Sequence, residues 1–370
     1  MSKDEIEVVY RLRTGAQDVG ARADALMLEQ TVELPRSALR AALAREPVLG
    51  RVLATEPSGA GEFLVTIAQP ASAAANDPAQ LLNLLFGNCS LQPDVELVDV
   101  RLPEPLARSL GGPRFGTAGI RSLCGVQGRA LTASALKPMG LSVDEAAALC
   151  STLALSGIDL VKDDHGLADH SFNPFVPRVR ACMAATDAAA QVTGRRTIYA
   201  PNLIGSPATV LRMAREAAEL GVQAVMVSPM IVGLPFLNEL VRGLGMPVLA
   251  HPAFGGATRI APEALLGKLF PVYGADAVIV PNTGGRFSYS AAVCSGIAAA
   301  LRSPAAATPP ALPVPAGGIR VNTVSAVLEA YGADTMLLVG GSLLDSAGTP
   351  ELLSRSRRFV EAVHAFPYHP

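Results

Sequence analysis

Tryptophan is absent from this sequence, and aromatic residues make up only 5% of its 370 positions. Long basic runs are absent too, and the formal net charge is −2, so the chain has no electrostatic footprint for nucleic acid. Glycine, proline or charged residues interrupt the apolar runs before any reaches the roughly 18 residues of a membrane helix. We therefore expect neither nucleic-acid binding nor a membrane span.

Paired cysteine spacings are also missing. The five cysteines are scattered and odd in number, which argues against a disulfide framework or a zinc ribbon. The chain begins Met-Ser-Lys-Asp-Glu-Ile-Glu, so acidic residues stand where a secretory signal would have its apolar core. Both observations predict a cytoplasmic protein.

Residues 1–110 are predicted to form a smaller α+β domain. Strand-like periods occur at residues 5–12, 51–55, 63–69 and 95–102, and helical periods at residues 21–30 and 78–86. The order strand, helix, strand, strand, helix, strand is the split βαβ pattern of ferredoxin-like domains. Gly111, Gly112 and Pro113 mark a linker, and residues 114–129 are predicted to be irregular.

Residues 111–370 are predicted to form a (β/α)₈ barrel with a carboxyl-terminal helix. After residue 129, short β-like runs alternate with helical stretches rich in alanine and leucine. The runs are residues 131–136, 158–161, 197–200, 224–227, 248–250, 277–280, 312–315 and 335–339. Eight such units match a barrel, whose active site lies at the carboxyl ends of its strands. A doubly wound sheet is the alternative, but no G-x-G-x-x-G turn follows the first strand.

Polar residues or glycines follow each of these runs. They are Lys137, Lys162, Asp164, His165, Asn202, Ser228, His251, Asn282, Gly317, Gly318, Gly340 and Gly341. In a barrel these positions face one common site, where two lysines, an aspartate and two histidines would meet. The alternative, a solvated charge cluster in strand-to-helix turns, accounts less well for this convergence.

The stretch from Gly157 to His165 carries the most specific signal. An apolar strand ends here in four consecutive ionisable residues, 162–165. Asp164 and His165 are metal ligands by type, whereas a lysine beside them should repel a metal ion. Neutralising or inverting the charge of Lys162 would resolve that conflict.

Glycine pairs follow the last two runs, at residues 317–318 and 340–341. Backbone amides after strands seven and eight form the usual phosphate site of such barrels, so we expect a phosphorylated ligand. Arg286 lies in a glycine-containing turn after the sixth strand, where it is either a second anion-binding group or an ordinary surface residue.

At these strand ends the sequence resembles the large subunit of RuBisCO, and more closely the RuBisCO-like proteins that share its fold without fixing carbon dioxide. The most specific pieces are residues 136–142, Leu-Lys-Pro-Met-Gly-Leu-Ser, and residues 157–165. Phe86-Gly87-Asn88 and Ala316-Gly317-Gly318 add support, and the resemblance covers nearly the whole chain. It implies a head-to-tail homodimer in which the amino-terminal domain of one subunit closes the barrel of the other.

The resemblance implies a metal centre at the second strand end. Lys162 matches the family lysine that carbon dioxide converts to a carbamate, an anionic ligand of Mg²⁺ beside Asp164. His165 stands where RuBisCO has a glutamate, which keeps a ligand but removes one negative charge.

The remaining candidates take their roles from the same resemblance. Lys137 matches the catalytic lysine next to the enolised carbon, and His251 matches an active-site histidine. Glu29 and Asn88 match residues that the partner subunit contributes. Gly317, Gly318, Gly340 and Gly341 match the phosphate-binding backbone.

Three departures from RuBisCO argue against carboxylation. Met139 lies in the segment where RuBisCO has its second lysine, Pro252 stands at the position of a phosphate-binding arginine, and Ile279 at that of a phosphate-binding histidine. A bisphosphate would therefore be poorly held.

The expected function is Mg²⁺-dependent enolisation of a sugar phosphate, in which a proton leaves the carbon next to a carbonyl. RuBisCO-like relatives use such chemistry for methylthioribulose-phosphate isomerisation and for oxo-isoapionate-phosphate decarboxylation, and the sequence does not choose between them. A catalytically inactive sugar-phosphate-binding or regulatory protein is the alternative, but the presence of both Lys137 and Lys162 argues against it.

Overall fold

The strands of the amino-terminal sheet alternate buried and less buried residues, so one face of the sheet is buried. The computed structural model describes residues 4–39, 48–304, 308–345 and 348–368, so short parts of both predicted domains lie outside the described residues. Strand β1 (Glu5–Arg13) buries every second side chain. With β2 (Arg51–Gly59), β3 (Glu62–Pro70) and β4 (Val95–Arg101) it forms an antiparallel sheet in the order β2-β3-β1-β4.

Two helices pack against this sheet, as the split βαβ pattern predicted. They are α1 (Val19–Thr31) and α2 (Pro78–Phe86). The Asp77 carboxylate caps α2 by accepting hydrogen bonds from the N–H groups of Ala79 and Gln80. The predicted helix at 78–86 is confirmed, while β2 is longer than expected.

The second sheet is a parallel barrel whose strands lie at, or directly beside, the eight predicted runs. The strands are β5 (Leu131–Leu136), β6 (Leu160–Asp163), β7 (Ile198–Ala200), β8 (Asn202–Leu203), β9 (Val225–Val227), β10 (Val248–Ala250), β11 (Ala277–Pro281), β12 (Leu312–Ala316) and β13 (Met336–Leu338). Their order is β7-β6-β5-β13-β12-β11-β10-β9-β8. The strands at the two ends of this order, β7 and β8, are separated in the chain only by Pro201. The two ends of the sheet therefore lie side by side, and the sheet curls almost into a closed ring. The predicted barrel is confirmed.

Helices follow the strands around the barrel. They are α3 (Glu104–Leu110), α4 (Gly116–Cys124), α5 (Val143–Leu155), α6 (Phe175–Thr193), α7 (Pro207–Glu219), α8 (Pro229–Val232), α9 (Leu234–Gly243), α10 (Pro262–Ala264), α11 (Phe270–Val272), α12 (Ala291–Arg302), α13 (Val324–Tyr331), α14 (Gly341–Leu344) and α15 (Thr349–His364). A π-helical turn, Leu265–Leu269, joins α10 to α11. Short 3₁₀ turns occur at Arg36–Ala38, Ala71–Ala74, Asn88–Leu91, Gly255–Ala257 and Val321–Thr323. Within the described ranges, none of the helices is both long and apolar enough to cross a membrane.

The prediction that residues 114–129 are irregular was wrong. Helix α4 lies in this stretch, and its Ile120 and Cys124 pack into the apolar cluster that fills the barrel. The segment contains several glycines, so its local propensity for helix is low. Burial of one face against the strands overrides that propensity.

The amino-terminal domain docks on the barrel through β4. The backbone N–H of Leu97 donates to Arg259 at 3.0 Å, and Ala261 donates back to Leu97 at 2.8 Å. Lys268 Nζ forms an ion pair with Asp99 nearby. The division of the chain into two domains at residue 110 stays a prediction.

Candidate active site

Strand alternation turns Lys162 and Asp164 toward the barrel interior. In β6, Leu160 belongs to the apolar cluster inside the barrel and Val161 to the core outside it. Residues 162 and 164 continue the inward row, whereas Asp163 faces the surrounding helices. Lys162 is only 2% exposed, and its Nζ donates to the Asp163 carbonyl oxygen at 2.9 Å.

Asp163 anchors this strand end from the outer face. Its carboxylate accepts hydrogen bonds from Arg178 Nε at 3.1 Å, from the Tyr199 hydroxyl at 2.6 Å and from the Asn202 backbone at 3.1 Å. Burial raises the pKa of the Asp163 carboxyl, and the Arg178 guanidinium opposes that shift. Neither Arg178 nor Tyr199 was predicted as a site residue. Alternation along β6 could have shown that Asp163 needs a partner on the outer face.

Four predicted residues form one chain of contacts at the barrel mouth. Lys137 Nζ lies 2.7 Å from Asp164 Oδ1, and the same oxygen lies 3.2 Å from His165 Nδ1. The rings of His165 and His251 stack with their centroids 4.3 Å apart and their planes inclined by 6°. The barrel therefore brings the ends of β5, β6 and β10 together.

This cluster shifts the pKa values of its members. Burial lowers the pKa of the Lys162 amine to about 8, although the charge of Asp164 opposes the shift. Burial by itself would raise the pKa of Asp164, but hydrogen bonds from His165 and Lys137 and the two lysine charges hold it well below its usual range. Lys162 is therefore partly a neutral amine near pH 8, whereas Asp164 is an anion.

His251 is a neutral imidazole with a defined tautomer. Burial, aided by the charge of Lys162, lowers its pKa to about 2. Its Nδ1 lies 3.1 Å from the backbone nitrogen of Ala253 and accepts that N–H, so the ring proton is on Nε2. At neutral pH His251 is a hydrogen-bond donor and not a cation.

Lys162, Asp164 and His165 have the chemistry to hold a metal ion together. Across the part of the chain that the structure describes, no three or more His, Cys, Asp or Glu side chains are grouped for metal binding. Asp164 and His165 offer two ligands, and the buried Lys162 beside them is the candidate for a third once its positive charge is removed. A buried amine with a pKa of about 8 can lose its proton and react with carbon dioxide, which replaces a cation with an anionic oxygen ligand. The donor set fits Mg²⁺ on these terms.

Gly317 and Gly318 pack their backbone against the neighbouring strand end. Gly318 has a φ of +72°, and a Cβ there would lie 2.6 Å from the Gly284 carbonyl carbon. A Cβ on Gly285 would likewise lie 3.0 Å from the Gly317 carbonyl carbon. Glycine is required for this close approach, which leaves Gly317 and Gly318 exposed.

The second glycine pair flanks Lys137. A Cβ on Gly340 would lie 3.9 Å from Lys137 Cε, and the exposed Gly341 begins α14. The pair therefore places backbone amides next to the lysine that contacts Asp164.

Three predicted residues lie apart from this cluster. Asn88 Nδ2 donates to Glu29 Oε1 at 3.1 Å, within the amino-terminal domain. Arg286 lies in the exposed loop after β11, with its guanidinium 5.8 Å from the centre of the Phe287 ring. Within one chain, the predicted residues at the barrel mouth therefore meet in one cluster, whereas Glu29 and Asn88 contact each other in the amino-terminal domain.

The three positions that depart from RuBisCO offer no cation. Met139 is exposed beside the Lys137 loop, and Pro252 directly follows His251. Ile279 is buried among the apolar side chains inside the barrel.

The architecture and the site define a class: (β/α)₈-barrel proteins with an α+β amino-terminal domain and a lysine-carboxylate-imidazole cluster at the carboxyl ends of the strands. Residues 116–259 match the family described as ribulose bisphosphate carboxylase large chain, catalytic domain. The crystal structure of a RuBisCO-like protein from Rhodopseudomonas palustris shares 42% sequence identity and a TM-score of 0.91, with 100% of both chains covered.

Two curated relatives carry enzyme names. The 5-methylthioribulose-1-phosphate isomerase of Rhodospirillum rubrum is 41% identical over 362 residues, which cover 97% of this chain and 96% of that protein. The 2,3-diketo-5-methylthiopentyl-1-phosphate enolase of Geobacillus kaustophilus is 36% identical over 314 residues, 82% of this chain and 75% of that protein. The chain belongs to the RuBisCO large-chain family, among its RuBisCO-like proteins. This confirms the resemblance inferred from the strand ends.

Proposed function

We propose that the protein is a metal-dependent isomerase that enolises a sugar monophosphate. The observation that carries this proposal is the buried Lys162, whose pKa of about 8 makes the neutral amine accessible beside Asp164 and His165. The relatives named as an isomerase and an enolase support proton transfer next to a carbonyl. Asp164, His165 and, after reaction with carbon dioxide, Lys162 would hold Mg²⁺, and the ion would supply polarisation of the substrate oxygens.

Lys137 and His251 have different roles in the proton transfer. Lys137 Nζ is held at the mouth by Asp164 and is positioned to hold or deliver the proton at the reacting carbon. His251 donates a hydrogen bond from Nε2 to an oxygen that gains charge. Because its pKa is about 2, His251 keeps this donor role throughout the neutral range.

The phosphate group is assigned to the amides of Gly317, Gly318, Gly340 and Gly341. The exposed backbone at the last two strand ends, one of them beside Lys137, supports this assignment. Pro252 and Ile279 provide no second phosphate grip, which favours a monophosphate. Arg286 is assigned to the outer part of the same anion site.

We assign the assembly as a homodimer with a shared active site. Glu29 and Asn88 pair with each other in the amino-terminal domain and would meet the barrel of the second subunit.

Isomerisation ranks ahead of decarboxylation, because the two curated relatives are named for proton-transfer reactions. An inactive binding protein would have no use for a buried lysine amine with a lowered pKa at the centre of the site.

The test is proton exchange from 5-methylthioribulose 1-phosphate in deuterated water, with Mg²⁺ and bicarbonate present and detection by NMR. The wild type should exchange the proton next to the carbonyl and form the isomer. Lys137→Ala should lose on the order of 10²–10⁴-fold in rate, whereas Arg108→Ala, in an exposed ion pair, is the control. No exchange and no isomer would contradict the proposal. With ribulose bisphosphate as the substrate, fixation of carbon dioxide into phosphoglycerate at the rate of proton exchange would contradict it too.

A further inference from the structure

Ser228 is a fully buried residue whose hydroxyl has no hydrogen-bond partner within the described ranges. Water binds an exposed hydroxyl, so burying one without a partner destabilises the fold. The hydroxyl of Ser228 is therefore free to bond a group from outside this chain.

Strand alternation directs this hydroxyl into the barrel. In β9, Val225 and Val227 belong to the core outside the barrel and Met226 to the cluster inside it. Ser228 keeps an extended backbone, with φ of −101° and ψ of 96°, so it continues the inward row of Met226. Asp164 extends the row of Leu160 on β6 in the same way.

The strand ends next to Ser228 carry groups assigned to chemistry. The backbone N–H of His251 donates to Val227 at 2.8 Å, which places the ends of β9 and β10 side by side. Strands β6 and β9 also approach each other where β7 and β8 are interrupted at Pro201. Ser228 thus lies between the strand that carries Lys162 and the strand that carries His251.

Ser228 does not cap the helix that follows it, which is the usual structural role of a serine directly before a helix. Ser228 precedes the first residue of α8, where a serine side chain commonly caps the helix, yet it makes no capping hydrogen bond. By contrast, Ser142, Ser206 and Ser290 all accept an N–H at the starts of their helices. Helix capping therefore does not explain the buried hydroxyl.

We propose that Ser228 is a substrate-binding residue whose hydroxyl bonds an oxygen of the sugar chain, next to the Nε2–H of His251. Two neutral donors on adjacent strand ends can stabilise an oxygen that gains negative charge, because neither has to be desolvated as an ion. The inference rests on the proposed function only in taking the ligand to be a sugar phosphate.

Binding of a substrate mimic that cannot react tests this role directly. Ribitol 5-phosphate has hydroxyl groups but no carbonyl, so calorimetry measures its binding without turnover. Ser228→Ala should raise its Kd about three- to tenfold, the loss of one neutral hydrogen bond. Ser356→Ala is the matched control, because Ser356 is equally buried and unpartnered but lies on α15. It should leave the Kd unchanged.

Thermal unfolding of the ligand-free protein provides the second readout. Ser228→Ala should unfold no lower than the wild type, because the lost hydroxyl had no internal partner. A lower unfolding temperature, an unchanged Kd, or a wild type that does not bind ribitol 5-phosphate overturns the assignment. If Ser228 governs binding but no proton exchange occurs, the proposed function fails and this assignment stands. If exchange proceeds with unchanged kcat and KM in Ser228→Ala, the assignment fails and the function stands.

Discussion

Lys162 and Asp163 are adjacent in sequence and equally buried, but their charges are compensated very differently. Three donors surround the Asp163 carboxylate, among them the guanidinium of Arg178. Lys162 Nζ donates to a carbonyl oxygen, and burial outweighs the attraction of Asp164. The Asp163 carboxylate therefore anchors the end of β6, whereas the Lys162 amine can lose its proton and react.

We expect the Mg²⁺ affinity of the wild type to rise with bicarbonate, and more strongly as pH increases from 7 to 9. The pKa of Lys162 is lowered to about 8, so the neutral amine grows as pH rises through that value. Its share goes from about one tenth at pH 7 to about nine tenths at pH 9. Calorimetry at the two pH values measures the effect. Lys162→Ala should lose the response and Lys268→Ala should keep it; affinity indifferent to bicarbonate would exclude carbamate formation.

Removing the partner of Asp163 should destabilise the fold strongly. Arg178 and Asp163 are both 0% exposed, so Arg178→Ala leaves a buried, uncompensated carboxylate and should cost about 3–5 kcal/mol of unfolding free energy. Arg212→Ala is the control, since its ion pair with Asp169 is exposed and worth about 1 kcal/mol or less. Urea unfolding measures both variants. Similar losses in the two would show that burial does not strengthen the Asp163 pair.

Among the elements, the third barrel strand is the one that shapes the site. Proline has no N–H for the ladder, and Pro201 divides the strand into β7, paired with β6, and β8, paired with β9. Asn202, just after the break, donates from Nδ2 to the carbonyl oxygens of His165 and Leu167. The interrupted strand thus holds the loop that carries His165.

The loop after β12 depends on glycine at position 318. Gly318→Ala combines a positive φ with a Cβ 2.6 Å from backbone, so the loop has to move away from Gly284. We expect phosphate-ester binding to weaken by about tenfold or more, because the amides of this loop move with it.

The control for this loop is Gly194→Ala, at the end of α6, which has a similar φ of +66° in the ordinary left-handed region and open space around the new Cβ. It should lower the unfolding free energy by only about 1 kcal/mol and leave binding unchanged. Calorimetry with ribitol 5-phosphate and urea unfolding report the two effects. Equal behaviour of the two variants would mean that the contact with Gly284 is unimportant.

The whole molecule consists of a sheet domain docked on the side of a barrel. Leu97 forms a two-way backbone bridge to the segment after His251, and Arg259 binds the carbonyl oxygens of Val95 and Gln92. These contacts fix the amino-terminal domain on its own barrel. Asn88 remains exposed.

A shared site predicts complementation between two inactive variants. Asn88→Ala removes the group given to the partner, and Lys162→Ala disables its own barrel. Heterodimers of the two contain one intact site, so an equal mixture should recover about a quarter of wild-type activity. Mixing Lys162→Ala with Asp164→Ala is the control, because both changes lie in the barrel. No recovery after proven subunit exchange would reject the shared site.

The sequence by itself determined the order of elements and the direction of side chains. Periods of two and of 3.6 residues are local, so eight barrel strands and the split βαβ pattern follow from short windows. Alternation along β6 is equally local, and it marks Lys162 and Asp164 as neighbours on one face. Helix α4 was not predicted, because its stability comes from the packing of Ile120 and Cys124 against barrel strands that are distant in sequence. A short sequence window does not contain those strands.

Only the tertiary structure decided the electrostatic state of the site. The pKa of Lys162, the tautomer of His251 and the unpartnered hydroxyl of Ser228 depend on burial and on atoms from distant strands. Such contacts form when the barrel brings the ends of β6, β9 and β10 together. Charge and hydrogen-bond energies fall off over a few ångströms, so residue types alone do not determine them before the fold sets those distances.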